Sequence, residues 1–254
     1  MRNHRNGLFA HLACLLATLS CFSRTAVADE AGVSFWLPGQ YGSFAAVPSD
    51  PGWSFENSFY HASAEASRGI SFERGGAIQA GMKSPSDLFM FTPTYAFKTP
   101  IFGAQAAFGT TILYGKNATS VSATLTGPGG NTLSGSKSDD VLAFGDVYPT
   151  ASLKWNKDAN NFMLYATTGI PVGAYQLNRL SALGLGHSVD GGIGYTYLNE
   201  KAGIEGSVVF GLTYNFINPY TQYQSGTDAH LDWALSPILT DKFHIGAVGY
   251  VYNQ

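Results

Sequence analysis

The 254-residue chain carries 14 lysines and arginines against 17 acidic residues, a net charge of −3, which offers no basic face to nucleic acid. Charged residues make up only 12% and aromatics 14%, against a charged share of about 25% in ordinary soluble domains, so a normal solvated surface is a poor fit. Beyond the first thirty residues no run of eighteen apolar residues occurs, which excludes a helical membrane span there.

The N-terminus reads as a secretory signal peptide. Arg2, His4 and Arg5 form a basic start, an apolar stretch runs from Leu8 to Phe22, and Ala26-Val27-Ala28 fits a cleavage site before Asp29. Segment 1–28 is therefore expected to be removed after Ala28 and the chain exported; a lipoprotein cysteine at Cys21 is a weaker alternative, because Thr18 stands where a leucine is wanted. Both cysteines, Cys14 and Cys21, lie inside this segment. The mature chain is then left without a disulfide, a thiolate metal site or a cysteine nucleophile. Losing Arg2, Arg5 and Arg24 leaves 11 basic residues against 17 acidic, a net −6.

Residues 29–53 hold Pro38, Pro48, Pro51 and several glycines, which break any strand ladder. This segment reads as a plug folded into a barrel lumen or as a plain lead-in loop. The remainder, 54–254, reads as short-spaced strands. Gly203–Phe216 is the clearest: Ile204, Gly206, Val208, Phe210, Leu212, Tyr214 and Phe216 alternate with the mostly polar or small Glu205, Ser207, Val209, Gly211, Thr213 and Asn215. A period of two gives one oily and one wet face, over a length sufficient for a tilted strand to cross a bilayer. Strands are expected at 55–64, 77–83, 88–97, 104–114, 118–126, 141–155, 162–168, 189–197, 203–216, 229–236 and 243–252, eleven in all. Between Thr126 and Val141 the sequence GPGGNTLSGSKSDD reads as a mobile connecting loop; it lacks the Gly-Lys-Ser/Thr of a phosphate-binding loop. The acceptor-like Asn117-Ala118-Thr119 falls on a strand start and reads as incidental. Low charge, many aromatics and alternating strands point to an all-β, antiparallel transmembrane β-barrel.

Several stretches together resemble a known family: WLPGQYGSFAAVP from Trp36, FGDVYPTASLKW from Phe144, GIPVGAYQLNRLSALGLG from Gly169, YTYLN at Tyr195, NPYTQYQSGTDAHLDWALS from Asn218 and the closing IGAVGYVYNQ. The chain is similar to the outer-membrane proteins named for the meta-pathway of phenol degradation, usually labelled transporters and grouped with barrels that include the fatty-acid transporters. The resemblance implies a barrel of about 12 strands in the outer membrane of a Gram-negative bacterium. It also implies contact with membrane lipid, lipopolysaccharide and the barrel-assembly machinery. Family members continue past GYVYNQ by further strands, so the expectation is a chain that lacks the last of them; an odd count of eleven agrees, since bacterial single-chain barrels have even numbers.

Strand faces nominate a site. Between Asp228 and Ser236 the odd positions Ala229, Leu231, Trp233 and Leu235 are apolar, which turns Asp228, His230 and Asp232 to the interior. Matching oily faces with the 203–216 strand places Thr213 beside His230 and Asn215 beside Asp228, with Glu205 further along the same wall. These residues read as a polar lining or constriction, with mutual satisfaction of interior polar groups as the plainer alternative. A metal held by Asp228, His230 and Asp232 is a minor reading, because i, i+2 spacing arises easily by chance. So is a hydrolase built on Ser207 or Ser236, because no G-x-S-x-G turn is present. Neither metal, cofactor nor enzymatic activity is expected. Phe35 and Trp36, with Tyr41 and Phe44, would line an aromatic pocket if the N-terminal segment enters the lumen. The functional expectation is passive passage of small hydrophobic or aromatic compounds, with a general small-solute porin or purely structural barrel next, and a hydrolase or secreted β-sandwich behind.

Overall fold

The computed structural model describes residues 35–72, 75–240 and 243–254. The signal segment, its cleavage site and residues 29–34 lie outside the described residues. Among those described there is no helix, and ten strands form one antiparallel sheet: β1 Gly52–Ser71, β2 Ala77–Ala96, β3 Gln105–Thr126, β4 Thr132–Lys157, β5 Asn160–Thr168, β6 Ser188–Asn199, β7 Ile204–Asn215, β8 Thr227–Thr240, β9 Phe243–His244 and β10 Ala247–Asn253. Each strand through β8 pairs with its sequence neighbour, and β9 and β10 both pair with β8. The result is a strongly curled up-and-down meander, a half-barrel, in which β1 and β10 are edge strands among the described residues.

The eleven expected strands become nine positions in this meander. The pairs expected at 77–83 with 88–97 and at 104–114 with 118–126 are each one continuous strand. Pro85, between the first two, keeps its place opposite Ser63, and only the β2–β3 ladder skips from Lys83 to Ser86 there. A proline removes one donor without ending a strand when the ladder can tolerate the gap. The stretch read as a mobile loop is corrected too: only residues 127–131 turn, closed by Gly127 N–H to Asn131 O at 2.8 Å, and β4 runs from Thr132. The 243–252 strand is present, interrupted at Ile245-Gly246 into β9 and β10.

Alternation sets the two faces. On β7 the even residues from Ile204 to Tyr214 are exposed, apart from the half-buried Gly206, and the odd residues from Glu205 to Asn215 are buried, as the period of two requires. The outer face carries a band of exposed apolar side chains, among them Phe55, Phe59, Phe89, Leu164, Phe210 and Leu212. Aromatic pairs flank it, Trp53 against Tyr95 (5.2 Å) and Phe162 against Tyr195 (5.4 Å) toward one end and Tyr214 against Phe216 (5.2 Å) toward the other. On β1–β4 the band stops at His61–Asp87 (2.6 Å) and Lys116–Asp140 (3.2 Å), beyond which Glu65–Lys83 (2.7 Å) continues a polar surface. The β4–β5 and β6–β7 turns at one rim are short, whereas residues 169–187 and 216–226 make long connections at the other.

Candidate functional site: the occupied inner face

Residues 35–51 have no regular structure and lie along the inner face of the curled sheet, so the backbone amides of this stretch need partners. The walls of β6–β8 supply them. Asp232 accepts from Gly39 N and Tyr41 N at 3.1 Å each, Glu205 Oε1 from Phe44 N at 3.0 Å, and Thr196 Oγ1 from Ala46 N at 3.0 Å. Ser43 and Ser236 share a hydroxyl hydrogen bond of 2.7 Å, and Lys154 Nζ donates to Val47 O at 3.2 Å. The inward side chains of three strands thus do for this segment what a neighbouring strand's backbone would otherwise do.

A cluster of buried ionisable groups sits behind it. His230 is 1% exposed and its Nε2 lies 2.7 Å from Asp190 Oδ2, which also accepts from Thr213 Oγ1 at 2.6 Å. Asn215 Nδ2 donates to Asp228 Oδ2 at 2.7 Å. Trp36, 2% exposed, stacks on the His230 ring at 4.4 Å and 20° and on Tyr252 at 5.7 Å. Tyr41 packs against Tyr165 at 5.0 Å; burial first, then the nearby Asp190 and Asp232 charges, push the Tyr41 phenol above its ordinary pKa and keep it protonated. Room for the two rings comes from Gly211, opposite His230 on β7: a Cβ there would sit 2.3 Å from Tyr165 Oη and 2.4 Å from His230 Cε1.

The other half of the interior is open. A cavity of about 670 Å³ lies between the N-terminal segment and the inner faces of β1–β5. Phe35, Trp36, Tyr41 and Phe44 line it from the segment's side, joined by Tyr60, Met90, Leu113 and Met163. Its sheet wall is a bank of hydroxyls, Thr92 with Thr111 (2.9 Å) and Thr150 with Thr167 (2.8 Å), together with Ser58 and Ser152.

The connection 169–187 folds back over the inner wall at the long-loop rim. A β-bulge sets Gly145 and Asp146 against the single residue Leu113 and turns Asp146 inward, where it is fully buried and accepts from Gly173 N at 2.7 Å and from Gly186 N. Asp139 grips the same loop through Arg179 at 2.6 and 3.0 Å and through the amides of Leu180 and Ser181. Asn117 is part of this attachment, donating to Ala182 O at 3.0 Å.

All eight residues nominated from the sequence face the interior or the N-terminal segment, but they are not one cluster. Asp228, His230 and Asp232 each bond a different partner, so they do not converge on a common point. Ser207 donates to Glu205 Oε1 at 2.5 Å and Ser236 bonds Ser43, so neither hydroxyl engages His230. The expected register is off by two residues: Thr213 pairs with Asp228 and Gly211 with His230. Side chains reach diagonally across this offset, so Asn215 still meets Asp228, while Thr213 and His230 meet through Asp190. Asp190, Tyr165 and Gly211 were not nominated. Asp190 follows Val189 on a strand too glycine-rich to show alternation, and Gly211 announces itself only through what its missing side chain admits.

Residues 68–254 match a protein-family model described as "Putative MetA-pathway of phenol degradation". The matched stretch includes Asp190, His230, Asp232 and the loop 169–187, whereas Phe35–Phe44 precede it. No curated protein and no solved structure matches the chain.

Proposed function

The chain belongs to the MetA-pathway of phenol degradation family, and from that premise we propose that it is an outer-membrane barrel protein that passes small aromatic or apolar compounds through its lumen. The observation that carries this reading is the cavity of about 670 Å³ between an aromatic-bearing segment and a hydroxyl-lined wall. Its volume lies within the ordinary range of small-molecule sites. A ring can lie against Phe35, Tyr41 or Met90 while a phenolic or similar polar group bonds Thr92, Thr150 or Ser152. The exposed apolar band with aromatic borders supports a lipid-facing exterior, since in water such a surface would be an aggregation hazard. The short β4–β5 and β6–β7 turns at one rim and the long 169–187 and 216–226 connections at the other fit periplasmic and extracellular ends respectively. In this reading the outer wall meets lipid and lipopolysaccharide after delivery by the assembly machinery, and the interior does no covalent chemistry.

The N-terminal segment occupies the lumen as a plug, which supports a binding conduit over an open water-filled pore. Two measurements test this. Expressed in a Gram-negative host, the protein should fractionate with the outer membrane and give an unboiled band that migrates faster than the boiled one. Cells carrying it should take up labelled indole faster than cells without it, and replacing Phe35 and Trp36 together by Ala should impair that uptake. A freely soluble periplasmic protein would instead support a secreted β-sandwich. A membrane barrel with no effect on indole entry would leave a structural role.

A further inference from the structure

Resting on that reading, the geometry points to an anion-selecting subsite at Lys154, which makes carboxylated aromatics the preferred cargo over neutral or cationic ones. Lys154 is the single lysine or arginine among the described residues that line the cavity. It is half-buried, on an inward position of β4. Lys83, Lys116 and Arg179 each reach a carboxylate within 3.2 Å, but Lys154 makes no ion pair among the described residues. Its ammonium spends one donor on Val47 O at 3.2 Å and has two more to give.

An ammonium held partly out of water with no counter-ion costs free energy that an incoming anion recovers. The opposing acidic groups in the lining are accounted for. Asp190 is engaged by His230 and Thr213. Glu56 lies on β1, and its cross-strand row runs through Thr92 and Thr111 to Tyr148 on β4, six residues away from Lys154. The surroundings of Lys154 suit the rest of such a ligand. Met163 stands directly opposite it in the β4–β5 pair, and Phe44 lines the same space, so a ring has a thioether and an aromatic edge to pack on. Gln105, the other cross-strand neighbour, is already committed to Ser49 through both ends of its amide. Lys154 also sits at the end of the lumen where the plug leaves for β1. An anion bound there is positioned at the rim with short turns.

The test uses the full chain refolded in detergent micelles at neutral pH, titrated calorimetrically with benzoate, benzyl alcohol and benzylamine, which share a ring and differ in charge. The wild type is expected to bind benzoate about tenfold or more tightly than benzylamine, the size of one charge-assisted hydrogen bond. Lys154→Met should remove that preference while leaving benzyl alcohol unchanged, and Lys154→Arg should restore it. A Lys154→Met variant that keeps the benzoate preference, or weakens benzoate and benzyl alcohol equally, overturns the subsite. If wild type binds benzyl alcohol without favouring benzoate, this inference fails and the conduit reading stands. If none of the three binds, both fall together.

Discussion

The two halves of the sheet answer the same alternating pattern in opposite ways. β1–β4 are 20 to 26 residues long and enclose an open, hydroxyl-lined space; β5–β8 are 9 to 14 residues long and their inner face is filled by acids, one histidine and the N-terminal segment they hold. In the proposed membrane setting a crossing takes about 9–11 tilted residues, a length that the short strands reach with little to spare. The long ones carry a second, polar length past the His61–Asp87 and Lys116–Asp140 pairs. The difference teaches that an inward polar residue has two uses in such a fold. Where another segment lies against it, as at Asp232, it is an anchor; where nothing does, as at Thr92 or Thr150, it is a wall; Lys154, bonded to Val47 O yet lining the cavity, stands between the two.

Substitutions can break that contrast, and the deepest cut is at Gly211. Gly211→Leu would drive a side chain into Tyr165 and His230 and should cost about 3 kcal/mol or more by overpacking. The expected readout is a lower urea midpoint for unfolding, or loss of the fast-migrating unboiled band. Midpoints equal to wild type would mean that the packed half is not packed. Next comes Trp36→Ala, which removes the ring covering His230 and should destabilise plug docking by about 3 kcal/mol. A cysteine placed at Ser43 should then label faster with a water-soluble maleimide. Asp232→Ala leaves the amides of Gly39 and Tyr41 without acceptors, at about 1–3 kcal/mol, and should raise the same labelling rate with little change in global unfolding. The smallest effect is expected at the rim: Arg179→Ala should leave stability intact but speed trypsin-independent cleavage of the 169–187 loop, for example by chymotrypsin at Tyr175.

Much of this was legible beforehand. The alternation on Gly203–Phe216 and Asp228–Ser236 specified which face each residue takes, because a strand's period of two leaves no freedom once the oily side is known. That is why Asp228, His230, Asp232, Glu205, Thr213 and Asn215 all turned inward as read. Register was not legible, since sliding one strand by two residues preserves both faces; the extended β8 ladder, pairing Ile204 with Pro237, decides it. Strand continuity through Pro85 was not legible for a related reason, because a local breaker is outvoted by the unbroken ladder with β1.

The sequence by itself determined the all-β class, the facing of the strands and the irregular character of the N-terminal segment, all of which follow from local periodicity and backbone chemistry. Only the tertiary structure decided that this segment lies against β6–β8 and leaves the β1–β4 side open. It also revealed Asp190 as the partner of His230 and left Lys154 without an ion pair among the described residues. Those outcomes depend on which distant side chains the curl of the sheet brings within hydrogen-bonding reach, and no spacing along the chain encodes that distance.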